Sequence, residues 1–164
     1  MTSLLEDDEL AARIGEALIA RDAKVAVAES TAGGLISARL LSVAGASRWF
    51  ERGVVAYSGG PKRDYLGIDI EVIRQHGAVS VEAVAASAEG FRNTTGVDFT
   101  IAESGIAGPQ GSRRSPKPVG FVLIAVAGPE GTVVREHQFP GTRVQVMEQI
   151  AQQSLEMLAE LLGA

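Results

Sequence analysis

The sequence contains no cysteine, few aromatic residues and no long apolar run. Without cysteine the 164-residue chain can form no disulfide, thiolate metal site or cysteine nucleophile, so any nucleophile must be an oxygen or an amine. Aromatic residues make up 5% of the chain and hydrophobic residues 46%, which indicates a core of Ala, Val, Leu and Ile. No apolar run approaches the roughly 18 residues of a membrane span, and the acidic start is unlike a secretory signal. We therefore expect a soluble, cytoplasmic protein without a membrane partner.

Basic residues are outnumbered by acidic ones, which gives a formal net charge of −5. A general nucleic-acid-binding protein needs a basic face for phosphates, so no nucleic-acid partner is expected. The two histidines, His76 and His137, are isolated in the sequence and form no metal-ligand cluster. We expect neither a metal nor another cofactor.

Helical and strand patterns alternate along the chain and predict one α/β domain over residues 1–164. Helices are predicted over 5–21, 33–43, 61–66, 69–75 and 80–93, where Gly90 weakens the end, and after Thr142. Strands are predicted over 24–29, 54–57 and 97–102, followed by a hairpin of 119–127 and 132–139. Helices return the chain between the first three strands, so these are expected to be parallel and the hairpin antiparallel. The predicted sheet is mixed, mostly parallel, and has about five strands.

Three predicted strands end in joints rich in Gly, Ser or Thr, at residues 30–34, 57–60 and 104–108. Parallel strands would place these joints at one edge of the sheet, where open α/β sheets bind ligands. In the first joint, small residues and the unpaired N–H groups of a helix start favour an anion or a developing oxyanion. The alternative is that Ser30 or Thr31 caps the helix and the glycines permit a tight turn. No phosphate-binding glycine motif is present.

The second joint contributes Tyr57 and Ser58, and Lys62 follows shortly afterwards. A lysine at its ordinary pKa of about 10.4 is a poor base, but burial or a nearby cation lowers that pKa. A serine and such a lysine form a nucleophile and base pair without histidine, whereas most accessible lysines have no such role. The basic segment 113–117 and Arg143 suit phosphate contacts, with a solvated surface as the alternative.

A series of short motifs extends along the chain from about residue 8 to residue 162. They are Ala28-Glu29-Ser30, Gly33-Gly34, residues 49–53, Tyr57-Ser58, Lys62, Leu66-Gly67, residues 76–80, residues 104–109 and residues 117–120. In this order and spacing they resemble the CinA C-terminal domain family, which is the nicotinamide-nucleotide amidohydrolase, or NMN deamidase, family.

The resemblance implies a three-layer α/β/α sandwich that hydrolyses the carboxamide of nicotinamide mononucleotide to nicotinate mononucleotide and ammonia, in pyridine-nucleotide recycling. It implies Ser30 as nucleophile, Lys62 as its base and Tyr57 as a supporting hydroxyl. The small-molecule nucleotide substrate is expected to contact Thr31, Gly33, Gly34, Ser104, Gly105, Gly108 and Arg143. Ser104 stands where the family usually has threonine, which keeps the hydroxyl. A homo-oligomer, dimeric or larger, is expected.

Several positions depart from the family pattern. Thr31 and Ala32 replace the usual cysteine and threonine, residues 59–61 lack the usual asparagine, and residues 110–112 lose glycines before a longer basic loop. These changes lie in loops expected to hold ligand, so a catalytically silent nucleotide-binding module is the alternative. A third hypothesis is a homo-oligomeric partner protein whose exposed helices matter more than its pocket. The retained Ser30, Tyr57 and Lys62 favour an enzyme.

Overall fold

The computed structural model describes residues 5–164, so residues 1–4 of the predicted domain lie outside the described part. The helices in this range are α1 (Glu9–Ala20), α2 (Leu35–Leu41), α3 (Gly59–Leu66), α4 (Ile70–His76), α5 (Val81–Thr95) and α6 (Arg143–Leu162), with a short 3₁₀ helix at Ala46–Arg48. The strands are β1 (Val25–Glu29), β2 (Phe50–Val55), β3 (Phe99–Gly105), β4 (Phe121–Gly128) and β5 (Gly131–Gln138). None of these helices is both long enough and apolar enough to cross a membrane.

The five strands form one sheet in the order β2-β1-β3-β4-β5. Strand β1 pairs in parallel with β2 and β3, whereas β3, β4 and β5 pair antiparallel. Helices α1, α2 and α6 pack on one face, and α3, α4 and α5 pack on the other. The predicted three-layer α/β/α sandwich with a mixed five-stranded sheet is therefore confirmed.

The central strands are buried on both faces, which explains their continuous apolar sequences. In β1, Val25 and Val27 belong to the apolar cluster under α1, α2 and α6, while Ala26 and Ala28 belong to the cluster under α5. Edge strand β2 is different, because most of its residues are exposed or half-buried. Its exposed polar residues are why the sequence pattern placed this strand at 54–57 instead of its observed position.

Element boundaries differ from prediction where side chains or strand pairing decide them. Helix α1 begins at Glu9 rather than at residue 5, because the Asp8 carboxylate accepts the Ala11 N–H and caps the helix. Strand β3 extends past Ala102 because Ser104 and Gly105 pair with β4. Both residues therefore lie at the end of a strand instead of in a loop.

Gly90 is a close-packing position in the middle of α5, which continues to Thr95. A Cβ at Gly90 would lie 2.4 Å from the Leu66 carbonyl oxygen and 3.4 Å from the Gly67 backbone. The end of α3 therefore rests directly on the α5 backbone. The helix thus continues two residues beyond its predicted end at residue 93, and Gly90 serves the packing of α3 on α5.

We expect Gly90→Ala to destabilise the protein by about 1–3 kcal/mol, because a methyl group would push the α3 backbone away from α5. Gly60→Ala is the matched control, since Gly60 is also helical, is exposed and has nothing within 4 Å of its added Cβ. That change should be neutral or stabilise the fold by up to about 1 kcal/mol. Urea unfolding of both variants tests this, and equal stabilities would contradict the packing role of Gly90.

Candidate active site

Ser30 and Lys62 meet at the edge of the sheet where the parallel strands end. Ser30 directly follows β1, and Lys62 lies in α3, which begins soon after β2. Because β1 and β2 are parallel neighbours, α3 starts beside the end of β1. Lys62 Nζ lies 3.4 Å from Ser30 Oγ, and each residue is only 7% exposed. A nucleophilic hydroxyl and an amine are therefore within direct hydrogen-bonding distance of each other.

The environment of Lys62 makes its amine a better base than an ordinary lysine. Burial lowers the pKa of Lys62, while the charge of Glu103 acts in the opposite direction. Burial is the larger of the two effects. More of the amine is therefore neutral near physiological pH, and a neutral amine can accept a proton from Ser30.

Glu103 lies under the joint that carries Ser30. Its Oε1 atom accepts hydrogen bonds from the Ser30 N–H at 2.5 Å and the Ala32 N–H at 2.9 Å. Its Oε2 atom is buried and has no hydrogen-bond partner among the described residues. Burial raises the pKa of Glu103 to about 7, against the opposing effect of these two N–H donors. This carboxyl group therefore changes its charge near neutral pH.

Glu29 occupies the N-terminus of α2. Its Oε2 accepts the N–H groups of Gly34 at 2.8 Å and Ile36 at 3.1 Å, and its Oε1 accepts the Ser37 N–H at 2.9 Å and hydroxyl at 2.6 Å. The positive end of α2 therefore faces a carboxylate of the protein itself. The capping alternative for Ser30 or Thr31 was wrong, because Glu29 satisfies the helix start.

Gly33 and Gly34 do not line the cavity that contains Ser30. Both have positive φ angles, of 66° and 104°, which glycine adopts without strain. A Cβ at Gly33 would contact Met147 of α6, and the Gly34 N–H already donates to Glu29. These glycines therefore turn the chain into α2, and the structure does not bring them to the other predicted site residues.

Thr31 joins the ends of β1 and β3. Its hydroxyl accepts the Gly105 N–H at 2.9 Å and donates to the Gly105 carbonyl at 3.2 Å. The Thr31 N–H has no acceptor among the residues that the structure describes. The side chain thus fixes the joint, and the backbone amide next to the nucleophile stays available.

A cavity of about 480 Å³ opens over Ser30 and Lys62. It contains most of the residues that the sequence singled out, namely Ser30, Thr31, Tyr57, Lys62, Ser104, Gly105, Gly108 and Arg143. Three cationic side chains line it, those of Lys62, Arg114 and Arg143, and none of its lining residues is Asp or Glu. In a chain with a net charge of −5, this local positive charge favours an anionic ligand.

Arg143 and Tyr57 form the rim of this cavity. Arg143, the first residue of α6, donates from Nη1 to the Gly108 carbonyl at 2.8 Å, and its Nη2 lies 3.5 Å from the Tyr57 hydroxyl. Tyr57 is 66% exposed. The structure therefore places Tyr57 beside Arg143 rather than in hydrogen-bond contact with Ser30 or Lys62.

Comparison with known proteins gives the family. The family model for the CinA C-terminal domain matches residues 7–162. The chain belongs to the CinA C-terminal domain family. A CinA-like protein of Desulfotalea psychrophila is 42% identical over 155 residues, which cover 94% of this chain and 37% of that protein. The chain thus spans little more than a third of the length of such curated relatives.

Solved structures of competence/damage-inducible proteins have the same fold. The competence/damage inducible protein CihA of Agrobacterium tumefaciens superposes with a TM-score of 0.90 at 35% identity, over 99% of this chain and all of that one. The competence damage-inducible protein A of Klebsiella pneumoniae superposes with a TM-score of 0.90 at 34% identity, over 94% and 96% of the two chains. The layered α/β/α arrangement described above is thus shared with these solved structures.

Two residues of this CinA domain were missed as site residues by sequence reasoning, namely Glu29 and Glu103. Each is an acidic residue at or near the end of a buried apolar strand, within the repeated triplet Ala-Glu-Ser at residues 28–30 and 102–104. A buried carboxylate requires hydrogen-bond donors, so this repeated triplet is the feature that could have identified them. Arg114 was considered only as part of the basic segment, and it too lines the cavity.

Neither histidine of the CinA domain lines this cavity. His76, at the end of α4, is 3.7 Å from a Glu82 carboxylate oxygen, and His137 of β5 stacks on Phe139. Over residues 5–164, no group of three or more His, Asp or Glu side chains is arranged to hold a metal ion.

We expect Glu103→Gln to change how stability depends on pH. The folded state keeps a proton on Glu103 up to pH about 7, whereas an unfolded glutamate releases it near 4.5, so folding loses stability as pH rises across this interval. Glutamine has no such proton, although it keeps an oxygen for the two N–H donors. The stability of the variant relative to the wild type should therefore rise by up to about 3 kcal/mol between these pH values.

Urea unfolding of both proteins from pH 4.5 to pH 8 measures this difference. If the free energies of unfolding of the two proteins differ by the same amount at all pH values, Glu103 is not buried as a neutral acid.

Proposed function

We propose that this domain hydrolyses the carboxamide of nicotinamide mononucleotide, or of a close analogue, to the corresponding carboxylate and ammonia. The observation that carries the proposal is the distance of 3.4 Å between Lys62 Nζ and Ser30 Oγ at the bottom of a cationic cavity. Membership in the CinA family supports it further. The place in pyridine-nucleotide recycling, a cytoplasmic location and a homo-oligomeric state remain predictions.

The first half-reaction forms an ester on Ser30. Ser30 Oγ attacks the carboxamide carbon while its proton passes to Lys62 Nζ, so a C–O bond forms and the amide oxygen becomes an oxyanion. Lys62 then gives this proton to the amide nitrogen. The C–N bond breaks, and ammonia leaves.

The second half-reaction regenerates the enzyme. Water attacks the ester carbon and gives a proton to Lys62, which returns it to Ser30 Oγ as the C–O bond to serine breaks. The net change is one amide and one water converted into a carboxylic acid and ammonia. No other reactant is consumed.

The backbone amide of Thr31 suits the oxyanion. The N–H groups on either side of it, those of Ser30 and Ala32, donate to Glu103, and that of Gly34 donates to Glu29. The Thr31 N–H is therefore an uncommitted donor directly after the nucleophile, and Thr31 lines the cavity.

The substrate's other groups have matching partners at the rim. Arg143 and Arg114 present guanidinium groups, which bind phosphate well because their N–H donors match its oxygens. The exposed ring of Tyr57 offers a face to a cationic pyridinium. A nucleoside monophosphate with a pyridinium carboxamide combines these features.

We expect purified protein to release ammonia from nicotinamide mononucleotide, and Ser30→Ala or Lys62→Met to lower kcat at least about 10³-fold, because each removes one half of the pair. Ser42→Ala and Lys24→Ala are matched controls. Ser42 is an exposed serine after α2, and Lys24 is an exposed lysine paired with Glu51. Both controls should retain full activity.

Tight calorimetric binding without ammonia release by the wild type would favour the silent nucleotide-binding module. Turnover that survives Ser30→Ala would contradict the serine mechanism while leaving the family assignment intact.

We also expect nicotinamide riboside, which lacks the phosphate, to have a kcat/KM at least about 100-fold lower than the nucleotide, because charge-assisted hydrogen bonds contribute about 1.5–3 kcal/mol each. Arg114→Ala should lower kcat/KM for the nucleotide but not for the nucleoside, and so reduce the difference between the two values. Arg13→Ala, an exposed substitution on α1, should leave this difference unchanged. Equal kcat/KM values for nucleotide and nucleoside would contradict a phosphate subsite in this cavity.

A further inference from the structure

Glu103 connects the nucleophile and its base without being either. It comes from β3, the parallel neighbour of the strand that ends at Ser30. One of its carboxylate oxygens accepts the N–H of Ser30 itself at 2.5 Å, and the other is buried without a hydrogen-bond partner among the described residues. A buried oxygen left without a donor is unusual, because its desolvation is not compensated.

Two charged groups act on Glu103, one from the neighbouring strand β1 and one from α3. Glu29 of β1 repels a negative charge there, and Lys62 of α3 attracts it. Glu29 accepts four hydrogen bonds at the start of α2. The side-chain amine of Lys62, by contrast, donates only to Ser30 Oγ among the described residues. The charge on Glu103 thus acts directly on an amine that has no carboxylate in hydrogen-bond contact.

We propose that Glu103 is a positioning residue that holds the Ser30 loop through two backbone hydrogen bonds and, through its own charge, sets how tightly Lys62 holds its proton. Ionised Glu103 stabilises the ammonium form of Lys62, which cannot accept a proton from Ser30. Neutral Glu103 does not stabilise that form. The loop contact is the same in both states, because a neutral acid keeps an oxygen that can accept the two N–H groups.

This inference rests on the proposed function for its consequence in catalysis, but its electrostatic part does not need turnover. Removing the carboxylate charge should lower the pH at which Lys62 becomes neutral. If the domain is an amidohydrolase, the acid limb of its kcat/KM profile should then move to lower pH. A purely structural role for Glu103 would change stability and leave that limb in place.

Direct titration of Lys62 by nuclear magnetic resonance tests the proposal. The chain has only three lysines, Lys24, Lys62 and Lys117, so protein labelled with ¹³C at the lysine ε-carbon gives three resolvable signals. In Glu103→Gln the Lys62 signal should titrate about one pH unit or more below its wild-type value, because a nearby opposite charge has been removed. The signals of Lys24 and Lys117 should not move.

A control variant and a second measurement complete the experiment. Glu136→Gln removes an exposed carboxylate from β5 and should leave the Lys62 titration unchanged. If Glu103→Gln does not fold, the wild type supplies the test, because the Lys62 signal should show a further inflection near pH 7 as Glu103 ionises, which the signals of Lys24 and Lys117 should lack. A Lys62 signal without this inflection would overturn the role of Glu103.

The outcomes separate the two proposals. A displaced Lys62 titration in a protein that releases no ammonia would support the role of Glu103 and overturn the proposed function. Ammonia release with an undisplaced Lys62 titration and an unchanged acid limb would overturn the role of Glu103 and leave the proposed function standing.

Discussion

The structure depends on one costly interaction, a lysine amine buried beside a serine hydroxyl where parallel strands end. Taking an amine out of water disfavours its charged form, so the site accommodates Lys62 by lowering its pKa. The topology makes this proximity possible. Strand β2 runs parallel to β1, and α3 begins soon after β2, so Lys62 arrives beside Ser30 although the two are distant in sequence. The same sheet edge receives the end of β3 and the start of α6, which complete the cavity.

Two buried glutamates organise the backbone around this pair. Glu29 and Glu103 lie on adjacent parallel strands and together accept the N–H groups of Ser30, Ala32, Gly34, Ile36 and Ser37. The protein itself therefore supplies acceptors for three of the five amides at residues 30–34, as buried amides require. This explains why the joint is built from small residues, since the chain must fold closely around two carboxylates. Of the two amides in this joint that have no acceptor among the described residues, those of Thr31 and Gly33, only Thr31 belongs to a residue that lines the cavity.

The fold was predictable because short apolar runs and helical periodicities mark its elements, and the polar joints after them marked the sheet edge that carries Ser30 and Lys62. Less was predictable where contacts between residues distant in sequence determine a strand's position or a group's hydrogen-bond partner. The predicted position of β2 was wrong, because residues 50–55 form an exposed edge strand whose pairing is not visible in the local sequence pattern. Gly34 was predicted to contact the substrate, although its N–H donates to the carboxylate of Glu29, five residues earlier in the chain. Glu103 was missed because the N–H group that it accepts belongs to Ser30, in the loop that follows a different strand.

The central claim is that Lys62 activates Ser30, and labelling by a fluorophosphonate, a reagent selective for activated serines, tests it most directly. Peptide mass spectrometry then identifies the modified residue in the wild type and in Lys62→Met. The account predicts modification of Ser30 in the wild type and little or none in the variant, since the neutral amine is what removes the serine proton. An unmodified Ser30 in the wild type, or equal labelling rates in both proteins, would contradict it.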